Sequence, residues 1–403
     1  MIPFSPPRMD KKIADAVVEA LYSGWITTGP RTKQFEKMLT AYGGQKVTFC
    51  VSSGSAGLEL MLRWFGIGKG DEVIVPAYTY CATANVVVHC GATVVFVDVG
   101  KDFDIAVDAI EKAITPHTKV IIPVDIAGFP CDYDAIHALV QRVDIREQFR
   151  PATREQELMG RILVLSDAAH SIGGWYNGKR TGSLTDLTVY SFHAVKNLTT
   201  AEGGAVCINL PLPFDNDAIY KELYIKSLHG QTKDALAKTQ IGNWRYDIVE
   251  PGYKYNMTDI QAAMGMAELE RYDSDMLVRR KAIFDRYAEA FFSYSWAQLP
   301  LYETSTRVSS YHVFLLRING ITEEQRDEII RGIFIREVAV NVHFVPLPMM
   351  TYYKDAGYRM PDYPVSYDNY SREITLPVYY DLTDEMVDEV VRAVVGAVEE
   401  VVR

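Results

Sequence analysis

The chain has 403 residues, a formal net charge of −11 at neutral pH and a sequence pI near 5.3. Its composition is that of an ordinary globular protein with a large core, and the acidic balance argues against a nucleic-acid-binding surface. The five cysteines are odd in number and scattered without C-x-x-C spacing, so the sequence indicates neither a zinc site nor a disulfide framework and favours buried free thiols. No apolar run is long enough for a membrane span and no signal-peptide pattern is present, so we expect a cytoplasmic protein without membrane or nucleic-acid partners.

Two amphipathic helices are predicted near the N-terminus. Apolar residues recur at helical spacing from Lys11 to Tyr22, with Asp10 as the capping residue, and the pattern predicts a second helix from Arg31 to Tyr42. The segment S-G-W-I-T-T-G-P-R between them contains Thr28 and is rich in glycine and hydroxyl groups. On its own this segment predicts only a loop.

A short predicted strand, Val47 to Val51, is followed at once by the letters S-S-G-S-A-G-L-E-L. The small residues predict a turn that opens a helix near Gly54, where backbone N–H groups could approach an anion at the positive end of the helix dipole. Ser55 and Ala56 lie in this turn. Turns of small residues are common, so the pattern alone leaves a phosphate site and a purely structural turn both open.

Apolar runs then alternate with helical patterns, which is typical of a mainly parallel sheet covered on both faces. The polar stretch 141–160 interrupts this pattern, and we expect a surface excursion there without a chemical role. The predicted strands are Glu72 to Ala77, Ala92 to Val99, Lys119 to Ile126 and Arg161 to Ser166, with a helix around Val107 to Ile114.

Two residues that follow predicted strands are candidates for a binding site. Asp167 opens the letters D-A-A-H at the carboxyl end of a strand, where open α/β sheets place ligand-binding groups. It could equally cap a helix. Tyr80 follows the strand that ends at Ala77, and it could be either a core aromatic or a site residue.

Lys196 lies at the centre of the segment V-Y-S-F-H-A-V-K-N-L-T-T-A-E-G-G. The residues Leu187 to Phe192 predict a buried strand, and another apolar run, Ala205 to Leu210, follows the segment. A lysine at the edge of a core loses hydration as an ammonium ion, and its neutral amine can form a Schiff base with a carbonyl compound. A single lysine taken alone is more often a solvated turn residue.

The second half of the chain contains shorter units. A helix is predicted from Asp217 to Leu228, and a long helix should start at Thr258 or Asp259 and run toward Arg286. Its inner face should carry Met264 and Leu269. We divide the chain into a large domain, 1–280, and a smaller α+β domain, 281–403, whose predicted elements are the strand His312 to Ile318 and the helices Glu323 to Phe334 and Thr383 to Val402.

The segment S-F-H-A-V-K-N-L-T-T-A-E-G-G closely resembles the lysine segment of the DegT/DnrJ/EryC1/StrS family of sugar aminotransferases. The resemblance covers nearly the whole chain and is greatest to the ArnB-type branch, the UDP-4-amino-4-deoxy-L-arabinose/oxoglutarate aminotransferases, which share G-Y-K-Y-N. It implies an α/β, fold-type I (aspartate aminotransferase-like) enzyme that uses pyridoxal 5′-phosphate, with a mainly parallel seven-stranded sheet in the large domain and a smaller α+β C-terminal domain. Some relatives carry histidine in place of the lysine and are dehydratases, so Lys196 favours amino transfer.

The same resemblance implies roles for individual residues. Lys196 would form the Schiff base with the cofactor, and Asp167 would pair with the protonated ring nitrogen so that the ring accepts electrons. Pro348 stands where many relatives have a second histidine, which removes one expected sugar-nucleotide contact. The cofactor-binding residues would be Ser55, Ala56, Tyr80, Asp167, His170, Ser191, Lys254 and Asn256, and the substrate residues would be Thr28, His193 and His343.

Within this set, Tyr80 would stack on the ring and His170 would lie near its hydroxyl group. Lys254 or Asn256 would reach the phosphate of a partner subunit, so the resemblance implies a homodimer with shared active sites. The expected reaction moves an amino group from L-glutamate, which becomes 2-oxoglutarate, through the pyridoxamine 5′-phosphate form to the C4 keto carbon of a nucleotide-linked sugar, most simply a UDP-4-keto sugar, for surface polysaccharide or lipopolysaccharide.

Two alternatives remain open at this point. One is a pyridoxal-phosphate-dependent sugar dehydratase, and the other is a non-catalytic regulatory protein that binds the cofactor. A sheet-based dehydrogenase is disfavoured because no G-x-G-x-x-G motif follows a predicted strand.

Overall fold

The computed structural model describes residues 1–233 and 244–402. Its strands, in chain order, are β1 (Val47–Val51), β2 (Glu72–Pro76), β3 (Thr93–Val97), β4 (Thr118–Ile121), β5 (Leu163–Asp167), β6 (Trp175–Tyr176), β7 (Lys179–Arg180), β8 (Leu187–Ser191), β9 (Gly204–Ile208), β10 (Ala297–Gln298), β11 (Arg307–Val308), β12 (Phe314–Ile318) and β13 (Glu373–Leu376). Its α-helices are Lys11–Tyr22, Pro30–Gly43, Gly54–Trp64, Cys81–His89, Val107–Ala113, Tyr133–Gln141, Val143–Arg146, Arg154–Met159, Asn216–Lys226, Asp259–Leu269, Leu277–Phe291, Glu323–Ile335, Thr351–Asp355, Pro364–Arg372 and Asp384–Val401. None of the helices in these two ranges combines the length and apolarity needed to cross a membrane.

Seven strands form one sheet in the order β1-β9-β8-β5-β4-β2-β3. Only β9 runs against its neighbours, β1 and β8, so the sheet is mainly parallel, as predicted. Alternate side chains of β9 enter different cores: Val206 and Ile208 join one buried cluster, and Ala205 and Cys207 join another. Because both faces of the sheet are covered, its strands are apolar at nearly every position.

A second core lies against the antiparallel sheet β10-β12-β13. It is built from Ile2 and from residues between 283 and 398, including the amphipathic helix Asp384–Val401 that Thr383 caps. Ile2 also forms a parallel bridge with Val338, so the start of the chain packs with this second core. The boundary between 280 and 281 stays a prediction, because the helix Leu277–Phe291 continues across it.

Two predicted elements end well before the residue at which the sequence pattern predicts their end. The strand predicted from Lys119 to Ile126 ends at Ile121, because Pro123 has no N–H to donate to a sheet. The helix predicted to run from residue 258 toward 286 begins as expected, with Thr258 in a capping box, but it ends at Leu269.

The break in this helix is a π-helical turn, Tyr272–Met276, after which a new helix begins at Leu277. Arg271 leaves helical geometry, with φ −125° and ψ 9°, and the buried Tyr272 donates a hydrogen bond from its hydroxyl to the carbonyl of Ile172 at 2.9 Å. Leu269 is buried as predicted, whereas Met264 is only half-buried.

The stretch 141–160 is not merely a surface excursion. It contains the short helices Val143–Arg146 and Arg154–Met159. Ile145, Phe149 and Met159 are buried in the main core cluster, while most of the charged side chains around them are exposed. A few apolar residues therefore anchor this stretch to the main core, although most of its residues are polar.

Lys196 lies in the loop between the antiparallel strands β8 and β9. This loop is closed by the N–H of Phe192, which donates to the carbonyl of Gly203 at 2.8 Å, and by the N–H of Thr200, which donates back to Phe192 at 2.9 Å. The N–H of Lys196 donates to the carbonyl of His193 at 2.9 Å. The lysine is thus presented from a hydrogen-bonded loop rather than from a regular strand.

Gly204, the first residue of β9, lies against the start of the helix Gly54–Trp64. A Cβ at Gly204 would lie 2.7 Å from the backbone N of Gly54, 2.7 Å from the carbonyl carbon of Ser53 and 2.8 Å from the carbonyl oxygen of Tyr190. All three atoms belong to backbone, which cannot swing away as a side chain could. This close approach brings the helix N-terminus to the edge of the sheet that carries Lys196.

We expect Gly204→Ala to lower the free energy of unfolding by about 3 kcal/mol or to prevent folding, because the added methyl group must push backbone segments apart. Gly68→Ala is the matched control, since a Cβ there meets nothing within 4 Å, and it should change stability by less than about 0.5 kcal/mol. Denaturant unfolding followed by circular dichroism measures both. Equal stability of the two variants would contradict the close approach.

Candidate active site

A cavity of about 310 Å³ lies at the carboxyl ends of the sheet strands. This is the edge at which open α/β sheets bind ligands. Its lining comes from the segments that follow β1, β2, β4, β5 and β8, and from two segments of the C-terminal part. The lining residues are Ser53, Gly54, Ser55, Leu58, Thr79, Tyr80, Ala82, Val124, Asp167, Ala169, His170, Ser191, His193, Val195, Lys196, Glu202, His312, His343 and Phe344.

Lys196 is only partly exposed, and it faces this cavity. Burial lowers the pKa of its amine to about 8, and the nearby Asp167 carboxylate partly opposes that shift. Desolvation outweighs the attraction of the anion because it penalises the ammonium form directly. A substantial fraction of the amine is therefore neutral near physiological pH, as a lysine nucleophile requires.

Asp167 is the last residue of β5 and is buried. Its Oδ2 accepts a hydrogen bond from the hydroxyl of Thr83 at 2.8 Å, and its Oδ1 accepts one from the backbone N–H of Ala169 at 3.2 Å. Burial raises the pKa of this carboxyl, while those two donors and Lys196 act in the opposite direction. The carboxyl is held in one orientation at the floor of the cavity.

Three histidines surround the lysine. Burial lowers the pKa of His170 and of His312 well below the usual range, and it lowers the pKa of His343 to about 4. Lys196 contributes to all three shifts in the same direction. All three rings are therefore neutral near physiological pH and add no positive charge to the cavity.

His170 carries a buried polar atom that lacks a partner. Its Nδ1 makes no hydrogen bond to any residue in the described ranges, although its ring packs on His312 at 4.3 Å and on Phe344 at 5.9 Å between centroids. A buried nitrogen left unpaired in this way indicates a missing ligand or water.

The turn after β1 has the geometry of an anion site. Ser53 caps the helix Gly54–Trp64, and its hydroxyl accepts the N–H of Ala56 at 3.0 Å. The next N–H, from Gly57, donates to the carbonyl of Ser53 at 3.1 Å. The cap therefore already takes up the N–H of Ala56, and the amides of Gly54 and Ser55 are those that a helix start leaves for an anion.

Three other predicted site residues, Tyr80, Ser191 and His193, also line the cavity. Tyr80 is 59% exposed and lies at the rim, with its ring 5.8 Å from that of Phe344. His193 is also exposed, with Nε2 3.7 Å from a carboxylate oxygen of Glu202. The hydroxyl of Ser191 accepts the N–H of His193 at 3.4 Å.

Lys254 lines a second cavity of about 460 Å³ beside the first. The two cavities share Ser53, Ser55, Tyr80 and Ala82. Ala56 lines the second cavity but not the first. Lys254 is exposed to solvent. A cation is thus available next to the turn after β1.

Thr28 and Asn256 are not brought into either cavity of the single chain. The side-chain amide of Asn256 donates to the hydroxyl of Thr28 at 2.6 Å, and that hydroxyl donates to the carbonyl of Met257 at 2.5 Å. The polar groups of both residues are therefore used within the chain. Their expected roles toward substrate and cofactor stay predictions.

Several residues in or beside the cavity were not predicted as site residues from the sequence. His312, which lines the cavity, was predicted only as the start of a strand, and Thr83, which donates to Asp167, was not singled out. Asn197 lies directly after the lysine. Its Oδ1 accepts a hydrogen bond from Nδ1 of His312 at 2.7 Å, and its Nδ2 donates to the carbonyl of Ser310 at 2.7 Å. Of these three residues, only Asn197 could have been suggested by the sequence, because it is next to Lys196. Thr83 and His312 reach the site through contacts between segments that are distant in the chain.

The model of the DegT/DnrJ/EryC1/StrS aminotransferase family matches residues 7–147 and 152–395. The chain belongs to this family. It is a pyridoxal-phosphate-dependent aminotransferase, as the lysine segment predicted. Within the stretch 141–160, the family model matches every residue except 148–151.

Known proteins resemble this family member along its whole length. The spore coat polysaccharide biosynthesis protein SpsC of Bacillus subtilis is 36% identical over 400 residues, which cover 98% of this chain and 96% of SpsC. A candidate sugar aminotransferase of Streptococcus pneumoniae, Spr1654, solved in its PMP form, is 46% identical with a TM-score of 0.96 and full coverage of both chains. Helicobacter pylori PseC, an aminotransferase involved in the biosynthesis of pseudoaminic acid, is 26% identical with a TM-score of 0.86 over 99% of each chain.

The residues of the cavity fit the cofactor of this family. The site offers a lysine amine of lowered pKa, a buried carboxyl, a helix N-terminus and the unpaired Nδ1 of His170. The amine could bind an aldehyde, and the carboxyl could pair with a ring nitrogen. The helix N-terminus could bind a phosphate, and Nδ1 of His170 could form a hydrogen bond with a ring hydroxyl. A structure of Spr1654 in its PLP form also matches the chain, with a TM-score of 0.94.

The lowered pKa of Lys196 can be tested on protein stripped of cofactor. Labelling of Lys196 by an amine-reactive reagent should reach half its maximum near pH 8, because only the neutral amine reacts. Asp167→Asn should move that midpoint to lower pH, since it removes the charge that favours the ammonium form. Peptide mapping by mass spectrometry follows the label.

Asp15→Asn is the control for this measurement, because Asp15 is exposed and pairs with Lys11 far along the chain from the site. It should leave the midpoint for Lys196 unchanged. A midpoint at or above about pH 10, the usual range of lysine, would show that desolvation does not govern this amine.

Proposed function

We propose that this enzyme transfers an amino group from L-glutamate to the C4 keto carbon of a nucleotide-linked sugar, most simply a UDP-4-keto sugar, in the cytoplasm. The observation that carries the proposal is the partly neutral Lys196 beside the buried Asp167 in a cavity that is open to solvent. The named roles of SpsC in spore coat polysaccharide and of PseC in pseudoaminic acid support a sugar acceptor for a surface polysaccharide.

When bound, pyridoxal phosphate supplies an aldehyde that reacts with amines and a ring that takes up the electrons released as a C–H bond breaks. Asp167 would hold a proton on the ring nitrogen, because a buried carboxylate there favours the protonated base. Thr83 and the N–H of Ala169 keep that carboxylate in place and oppose its protonation.

Lys196 would act twice in each half of the reaction. Its neutral amine would hold the cofactor through the aldehyde, with loss of water, and once free again the same nitrogen would take a proton from one carbon and deliver it to another. A pKa of about 8 suits both directions, since base and acid forms are both populated near neutral pH. A lysine of ordinary pKa would remain almost fully protonated.

The cofactor phosphate would bind at the N-terminus of the helix Gly54–Trp64, where the amides of Gly54 and Ser55 remain available. Lys254 of the same chain lines the neighbouring cavity, but the family resemblance implies active sites shared by two chains, so we propose that Lys254 of the partner subunit supplies the cation at this site. Lys254 is exposed, whereas the side chain of Asn256 already donates to Thr28. His193 and His343 would face the sugar, since both line the cavity.

The first half-reaction gives a spectroscopic test. We expect the protein with pyridoxal phosphate to show a yellow absorption band that L-glutamate alone bleaches, because the amino group stays on the cofactor until a keto sugar arrives. Lys196→Ala should fold and bind the cofactor without forming that band. Borohydride reduction and peptide mapping should place the label on Lys196 only.

Each outcome of this test separates the alternatives. A band that glutamate leaves unchanged would mean that the donor or the reaction class is wrong, as for a dehydratase. The absence of any band would favour a regulatory protein. Lys33→Ala serves as the control variant, since Lys33 packs over Tyr224 away from the cavity, and it should retain the band.

The shared site is tested by mixing Lys196→Ala with Lys254→Ala. If Lys254 acts across the dimer, randomly mixed chains should hold about a quarter of the wild-type amount of covalent cofactor at limiting concentration, because about half of the dimers are mixed and each restores one site. Each variant alone should hold little, with about tenfold weaker cofactor binding for Lys254→Ala.

No rescue on mixing would mean that Lys254 serves its own chain or does not contact the cofactor. Asn256→Ala is the comparison variant, and its homodimer should bind cofactor with an affinity close to that of wild type. Gel filtration establishes that mixed dimers have formed.

A further inference from the structure

Glu373 is a fully buried acid whose side-chain hydrogen bonds lead to a cavity residue. Its Oε1 accepts the hydroxyl of Thr375 at 2.5 Å, and its Oε2 accepts the backbone N–H of His343 at 3.1 Å. Arg317 lies opposite it in the register of β12 and β13, and Arg326 donates to its backbone carbonyl. Neither arginine forms an ion pair with its carboxyl group among the ion pairs of the described residues.

The hydrogen bonds continue from Thr375 to the ring of His343, whose Nδ1 lies 3.1 Å from the threonine hydroxyl. A hydroxyl has one proton to donate. When Thr375 donates that proton to an ionised Glu373, its oxygen can only accept from His343, so Nδ1 carries the ring proton. Nε2 then remains as an acceptor, and it makes no hydrogen bond to any residue in the ranges 1–233 and 244–402.

Protonation of Glu373 reverses the direction of these hydrogen bonds without moving a heavy atom. Oε2 faces the N–H of His343, so the added proton must lie on Oε1, where it is donated to Thr375. Thr375 then donates to Nδ1 of His343, and the ring proton moves to Nε2. His343 offers the cavity an acceptor in the first state and a donor in the second.

The position of the His343 ring is restricted by its neighbours. The ring of Phe4 stacks on it with centroids 5.5 Å apart and an interplanar angle of 16°. The hydroxyl of Tyr78 donates to its backbone carbonyl at 2.5 Å. Backbone and ring are therefore held, and the position of one proton is what can still change.

We propose that Glu373 is a positioning residue that acts through Thr375 to decide which ring nitrogen of His343 carries the proton. Because His343 lines the cavity, this decides whether it accepts a hydrogen bond from a ligand hydroxyl or donates one to a ligand oxygen. The identity of that ligand as a sugar rests on the proposed function; the control of the proton does not.

The pKa of Glu373 indicates the pH range in which the ring proton of His343 should change its position. Burial raises the pKa of Glu373 to about 8, opposed by Thr375, the N–H of His343, Arg326 and Arg317. Since burial and Lys196 lower the pKa of His343 to about 4, its ring stays neutral and changes tautomer instead of charge. Below the pKa of Glu373 the proton should lie on Nε2, and above it on Nδ1.

Nitrogen NMR of the full chain labelled with ¹⁵N-histidine tests this directly, with His343→Gln used to assign the signal. From about pH 6.5 to about pH 9.5, the protonated nitrogen of wild-type His343 should change from Nε2 to Nδ1. Glu373→Gln should keep the proton on Nε2 throughout, because its amide can donate to Thr375 while its carbonyl accepts the N–H of His343. An identical pH response in wild type and Glu373→Gln overturns the proposal.

A second pair of variants covers the case in which Glu373→Gln does not fold. Thr375→Val keeps the shape of the side chain but removes the hydroxyl, and it should abolish the change near pH 8, whereas Thr375→Ser should restore it. Equal behaviour of the valine and serine variants would contradict the relay. The measurement uses no substrate, so it still supports the relay if L-glutamate fails to bleach the cofactor and the proposed reaction is wrong.

Discussion

The loss of water around one lysine is the constraint on which the site depends. An ammonium ion in a buried position is costly, and only part of that cost is offset by a nearby anion. The Asp167 carboxylate is that anion, yet it is also buried, and the hydroxyl of Thr83 and the N–H of Ala169 oppose the rise in its pKa that burial causes. The pKa of Lys196 therefore falls only to about 8, where the amine can serve as nucleophile, base and acid.

Holding the lysine at this depth depends on backbone packing as much as on charge. The loop between β8 and β9 is closed by backbone hydrogen bonds, and β9 begins at Gly204, which touches the first residues of the helix Gly54–Trp64. A side chain at this point would separate the lysine loop from the helix N-terminus. One glycine contact thus sets the spacing between the loop that carries Lys196 and the backbone amides of Gly54 and Ser55.

The sequence predicted the strands and helices because those features leave local signals, whereas the family resemblance predicted much of the cavity lining. Apolar strands, caps such as Thr258 and Thr383, and the lysine segment can each be recognised within a few residues. The interruption at Tyr272 could not be predicted, since it depends on a hydrogen bond to Ile172 from a distant segment. His312 and Thr83 were missed for the same reason: long-range packing brings them to the site.

Five titratable groups of the cavity share one tendency: Lys196, Asp167, His170, His312 and His343 each have a pKa that is moved toward the neutral form. Burial lowers the pKa of Lys196 and of the three histidines and raises that of Asp167. A cavity of this kind has little net positive charge of its own with which to attract phosphate groups. In the proposed function that attraction comes from the helix N-terminus and from the exposed Lys254, so the proposed anion site lies nearer to water than Lys196 does.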